Sequence, residues 1–163
     1  MRAILLTLAF AAMPALSHGA SLCQKGETDY FSCKIQDSAK SVSLCGSELH
    51  TFGGIGRADW LQYRYGVPGR LELVYPQSKQ PLLQHFTGEF AGTESSTVYG
   101  LQFKPGPVDY AIIAGPDNHF IANKGRGDPG HMNCDEAQLA ASRAKFDRFA
   151  QLVKELSKRV VPK

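Results

Sequence analysis

The sequence predicts a mainly β fold: a small antiparallel β-barrel or sandwich of about eight strands followed by a long C-terminal amphipathic helix. Three observations predict it. Strand-like runs bounded by Gly, Pro, Asp and Asn recur along residues 29–123. The chain carries 16 Gly and 9 Pro and has no long helical period before residue 134. From Asn133 or Asp135 onward the apolar period changes to steps of three and four. The 163 residues, 43% of them apolar, with a formal charge of +3, describe one ordinary globular domain. A mean hydropathy of -0.22 excludes a polytopic membrane protein.

The first element is a targeting signal, residues 1–20. Arg2 precedes the run Ala3-Ile4-Leu5-Leu6-Thr7-Leu8-Ala9-Phe10-Ala11-Ala12, which has the length of a signal-peptide core and is too short for a stable membrane anchor. Small residues at Ala15, Ser17, Gly19 and Ala20 offer cleavage points, so the mature chain is expected to begin between His18 and Ser21, with no transmembrane anchor left. Leu22 stands where a lipobox needs Gly, Ala or Ser, so Cys23 reads as a disulfide partner and not a lipid acceptor.

The β region, residues 21–134, follows. Strands are expected at 29–35, 41–45, 59–65, 70–76, 82–90, 97–104, 108–114 and 119–123, in an antiparallel meander. Turns separate them at Gln36–Lys40, Gly66–Gly69, Lys104–Pro107 and Gly115–Asn118, where Gly supplies positive φ and Pro presets the corner. Residues 125–130, Gly-Arg-Gly-Asp-Pro-Gly, read as a linker, and the Arg-Gly-Asp within it as chance.

The helix is expected over 135–163, capped by Asn133 or Asp135 and ended by Pro162. Phe146, Phe149, Val153, Leu156 and Val160 form its apolar stripe. The stripe either packs on the β body, with part of the helix protruding, or docks a partner or a second copy as a homodimer.

Four cysteines behind an export signal read as two disulfides. Zinc fits poorly, because no CxxC pair exists and only His131 and Cys134 have a ligand-like spacing. In the first strand Phe31, Cys33 and Ile35 share a face. In the second, Val42 and Leu44 share one, and Cys45 points the other way. The hairpin's own cysteines therefore face apart, which favours Cys33–Cys134 with Cys23–Cys45.

No catalytic constellation is visible and no cofactor is implied. His50, His85, His119 and His131 have no second ligand at ligand spacing on a common face, no G-x-S-x-G elbow occurs, and Glu72 and Glu89, on candidate strands, either meet in a cleft or pair with Arg64 and Arg70. Without residues 1–20 the chain has 17 basic and 15 acidic residues, which is not the balance of a nucleic-acid-binding protein. The excess of base lies in residues 135–163, with seven basic and four acidic residues. Trp60-Leu61-Gln62-Tyr63-Arg64-Tyr65 carries aromatic residues on both strand faces, so one face is either inside a two-layer structure or presented to a partner.

The order Cys23…Gly26-Glu27-Thr28…Phe31-Ser32-Cys33, Lys40-Ser41-Val42-Ser43-Leu44-Cys45, Leu61-Gln62-Tyr63-Arg64-Tyr65-Gly66…Glu72-Leu73-Val74-Tyr75-Pro76 resembles a group of uncharacterised exported, periplasmic proteins of proteobacteria, over roughly residues 23–134. That resemblance implies export and disulfides but no activity. The chain is more weakly similar to small periplasmic lysozyme inhibitors, β-barrels that insert a Ser-containing loop and a Lys into the enzyme's cleft. This similarity implies Ser95, Ser96, Tyr99 and Lys124 as partner-binding residues. The reading is a periplasmic or secreted protein that is not an enzyme and blocks a protein partner, as a lysozyme inhibitor or an immunity protein against a cell-wall-degrading toxin. The alternatives are an envelope assembly factor acting through the helix, and a hydrolase with a dispersed site.

Overall fold

The computed structural model describes residues 21–49, 54–93, 96–115, 120–124, 132–135 and 143–159. The signal segment, Ser95, the Arg-Gly-Asp run, His50, His119 and His131 lie outside them. Strands β1 (Thr28–Lys34), β2 (Ser41–Gly46), β3 (Leu61–Val67) and β4 (Arg70–Tyr75) form one antiparallel sheet in chain order. β5 (Phe86–Ala91), β6 (Val98–Phe103), β7 (Tyr110–Ala114), β8 (Phe120–Lys124) and the short β9 (Met132–Asn133) form a second. The fold is thus mainly β and sandwich-like, with sheets that do not close into a barrel. At one edge they touch: Ile35 bridges Cys134, the Gln36 N–H donates to the Asn133 carbonyl, and the Asp135 N–H donates to the Lys34 carbonyl.

Alternation explains the faces. Phe31, Cys33, Val42, Leu44, Leu61 and Tyr63 of the first sheet are buried against Phe86, Leu101, Phe103 and Ile112 of the second. The rings interlock, with Tyr63 4.7 Å from Phe103 and Tyr75 5.9 Å from Phe86 between centroids. Every residue of β2 is buried, because residues 21–27 cover its other face. There the Leu22 N–H donates to Ser43 Oγ at 2.8 Å, and Cys23 is bonded to Cys45.

Cys33 is bonded to Cys134, so both expected disulfides are present. In the hairpin register Cys33 stands opposite Val42 and Cys45 opposite Asp29, with a bulge between Asp29 and Phe31. The disulfide on Cys23 leaves it no thiol for a lipid.

Within the described residues the helix α1 covers Arg143–Ser157, about 22 Å at ~1.5 Å per residue; of the expected 135–163, residues 136–142 and 160–163 lie outside the described residues. Phe149, Leu152, Val153 and Leu156 are buried in the same core as the strands. α1 lies against β5, β1 and β6. Its close approach uses Gly88, where a Cβ would fall 2.6 Å from the Val153 carbonyl oxygen. Lys145 ties the helix to β1 through Asp29 at 2.8 Å. The stripe is therefore a core element over these turns. This is the expected packing on the β body for Phe149, Val153 and Leu156; Phe146 is only partly buried, and Val160 lies outside the described residues.

Candidate functional site

Phe86, Gly88 and Phe90 alternate onto the inner face of β5, where α1 covers Gly88 but Phe90 lies beyond that cover and is 50% exposed. Phe90 stands opposite Tyr99 of β6 in the register, and the two rings are 6.0 Å apart. Tyr99 in turn meets Phe146 of α1 edge-on at 5.8 Å, and the Lys154 ammonium lies 5.5 Å from the centre of the Tyr99 ring. These side chains, with Ala150 and Gln151, line an open groove of about 440 Å³ between the β5–β6 hairpin and the helix. Asp147, Glu155 and Lys158 rim it, and Lys158 is paired with Glu155 at 2.5 Å.

The hairpin loop beside the groove is held by its own polar groups. The Ser96 N–H donates to the Thr93 carbonyl at 3.0 Å, the Ser96 and Thr93 hydroxyls share a hydrogen bond at 3.1 Å, and the Thr97 hydroxyl donates to the Thr93 carbonyl at 2.6 Å. Ser96 is exposed on this frame. Such an arrangement presents an apolar ring and hydroxyls on a preformed surface, with little ordering left for a binding event.

Of the residues expected to contact a partner, Ser96 and Tyr99 both belong to the β5–β6 hairpin, and Ser95 is outside the described residues. Lys124 is elsewhere: it stands opposite Tyr110, which stands opposite Phe103. That is five residues along β6 from Val98, about 17 Å at ~3.4 Å per residue. Ser96 and Lys124 therefore mark opposite ends of the second sheet and do not form one patch. Phe90 and Lys154 carry no sequence signal of binding, whereas Phe146 belongs to the stripe expected either to pack on the β body or to dock a partner. Phe90 carries the β period of an interior residue, and Phe146 lies on the helical stripe.

A second cavity, of about 530 Å³, opens at the other end of that sheet beside Tyr75, His85, Phe86, Phe103 and Tyr110. Its rings are spent on one another: Phe103 stacks on Tyr75 at 5.8 Å and on Tyr110 at 5.4 Å. At its rim Lys104 neutralises Asp109 at 3.1 Å. Behind the wall, the Tyr63 hydroxyl is buried without a hydrogen-bond partner, and burial pushes its pKa well above the ordinary phenol value.

The acidic side chains have their own partners. Glu72 pairs with Lys40 at 2.8 Å, and Glu89 accepts from Gln102, so these two carboxylates do not form a couple and neither is held by Arg64. Arg64 instead holds Glu27, with Nη1 and Nη2 at 2.6 and 2.9 Å from the two carboxylate oxygens. The one grouping of metal-type donors among the described residues is Cys23, Glu27 and Cys45, and its sulfurs are joined in a disulfide. No protein-family model, curated protein or solved structure matches the chain.

Proposed function

We propose that the protein is an exported binding protein that blocks a protein partner, such as a lysozyme or a cell-wall-degrading toxin. The contact is the end of the second sheet where Tyr99 meets α1, with Phe90 beside it and Ser96 in the adjoining β5–β6 loop. The observation that carries this reading is the ring of Phe90, 50% exposed, in line with Tyr99 and Phe146 above a groove of about 440 Å³. Exposed aromatic residues on a rigid frame are the usual anchors of protein interfaces. The groove fits one projecting apolar side chain of the partner, and the Ser96 hydroxyl beside it offers a polar contact. Export is supported by the leader-like pattern of residues 1–20 and by two disulfides.

The test is a lysozyme activity assay with micromolar purified mature protein, repeated with Phe90→Ala, Ser96→Ala and Lys124→Ala. Inhibition should be lost with Phe90→Ala, weakened with Ser96→Ala and unchanged with Lys124→Ala. Inhibition that survives Phe90→Ala would move the site away from the groove. No inhibition of any lysozyme class would remove that target and leave affinity capture from an envelope extract, with Phe90→Ala as the control, to identify another.

The second reading, an envelope assembly factor contacting its partner through the helix, keeps one observation in its favour. Asp147, Gln151 and Lys154 form the helical wall of the same groove. Deleting residues 135–163 cannot separate the two readings, because it would uncover the core under Phe149 and Val153.

A further inference from the structure

In the first sheet, β4 pairs with β3 alone among the described residues, whereas the free side of β1 is bridged to Cys134. The first three residues of β4, Arg70, Leu71 and Glu72, are exposed, Leu71 at 40%, and Glu72 is the extra residue of a bulge between the pairs Tyr65–Leu73 and Gly66–Leu71. Open edges of this kind are commonly guarded by charges that discourage pairing. Here the two charges have opposite signs and stand on either side of an exposed Leu. Glu72 is paired with Lys40, while Arg70 makes no ion pair among the described residues.

We propose that β4 pairs antiparallel with β4 of a second copy, about a two-fold axis at Leu71. With Leu71 opposite Leu71 of the partner subunit, Arg70 falls opposite Glu72 of the partner subunit, and Glu72 opposite the partner's Arg70. Directly opposed residues in an antiparallel pair have Cβ atoms about 4.5–5.5 Å apart, within reach of an ion pair. The two-fold generates both pairs at once and brings the two exposed Leu residues together at the axis. The register is selected by charge, because a slip of one residue sets each Arg against a Leu. A carboxylate accepts more than one donor, so Glu72 can keep Lys40 while receiving the second cation. The contact spans few residues and belongs to the small, weak class of interface, so association should depend on concentration.

Sedimentation velocity of the mature protein, from micromolar to millimolar concentration, is the test. The native chain should move from monomer toward dimer. Arg70→Glu, with both positions acidic, and Glu72→Arg, with both basic, should each stay monomeric. An equimolar mixture of the two variants should regain a dimer, as should the double swap Arg70→Glu/Glu72→Arg. Unchanged thermal melting checks the fold, and Arg70→Gln and Leu71→Asp, which leave Glu72 with Lys40, serve if Glu72→Arg disturbs it; both should be monomeric. A native chain that is monomeric throughout, an Arg70→Glu variant that dimerises like the native chain, or a mixture that fails to associate would each overturn the proposal.

Discussion

Arg64 grips Glu27 through both terminal guanidinium nitrogens where each side chain is only 5% exposed, 37 residues away in the chain. Arg64 also donates to the Leu22 carbonyl at 3.1 Å and to Gln62 Oε1 at 2.8 Å, and the Gln24 N–H donates to Glu27 at 2.8 Å. The pair therefore fastens residues 21–27 over the outer face of β2 and β3. Removing one partner leaves a buried charge, which typically costs about 3–5 kcal/mol, whereas removing both costs less than the sum. In urea unfolding, Arg64→Met should be milder than Glu27→Gln, since Lys79 remains 3.3 Å from Glu27. The double variant should show clear positive coupling. Additive losses would mean that the pair is not the fastening.

The same geometry sets an acid limit. Burial raises the Glu27 pKa, but Arg64, the Gln24 N–H and Lys79 outweigh it and hold the carboxyl below its ordinary value of 4.5. A carboxylate with a depressed native pKa contributes stability that is present above its unfolded pKa and lost as pH falls through the folded one. Stability should therefore drop as pH is lowered below about 4.5, and Glu27→Gln should flatten that limb of the stability–pH curve. An acid limb with the same slope in the variant would assign it to other carboxylates.

The two disulfides should differ in worth. Cys33–Cys134 spans 101 residues and Cys23–Cys45 spans 22. Chain-entropy reasoning gives about 4.7 and about 3.4 kcal/mol respectively. Paired Cys→Ser replacement, followed by denaturant melts, tests the order. If losing Cys23–Cys45 costs more, native contacts of the 21–27 segment outweigh loop entropy.

Period-two alternation made much of this fold legible. It put Cys33 with Phe31 and Ile35 and turned Cys45 away, which excludes a Cys33–Cys45 bond and leaves the choice between the other two pairings to long-range packing. The positions of β1 to β8 follow turn residues whose conformational demands are local, except that Leu82–Gln84, expected to open a strand, form a 3-10 turn and β5 begins at Phe86. What the sequence conceals is long-range. Nothing in the neighbourhood of Arg64 names Glu27 over Glu72, since the choice depends on how residues 21–27 fold back. β9 is two residues in a Gly- and Pro-rich stretch and exists through pairing with Ile121 and Ala122. Phe90 has an interior period, and its exposure is decided by where the helix crosses β5. The separation of Ser96 from Lys124 is likewise a matter of register across three strands.

That crossing supplies the last prediction. A Cβ on Gly88 would lie 2.6 Å from the Val153 carbonyl oxygen and 2.8 Å from Leu156 Cβ, contacts that the backbone of a docked helix cannot relieve by a rotamer change. Gly88→Ala must therefore push α1 off β5, an overpacking cost of about 1–3 kcal/mol. At about 2–4 °C per kcal/mol for a chain of this size, the melting temperature should fall by several degrees. Gly100, on the neighbouring strand β6, is the control: its nearest neighbour to a new Cβ is Glu89 Cγ at 3.4 Å, an ordinary contact. Gly100→Ala should therefore lower the melting temperature less than Gly88→Ala does. Equal melting of the two variants would show that the helix is not seated on Gly88, and would remove the helical wall from the groove beside Phe90.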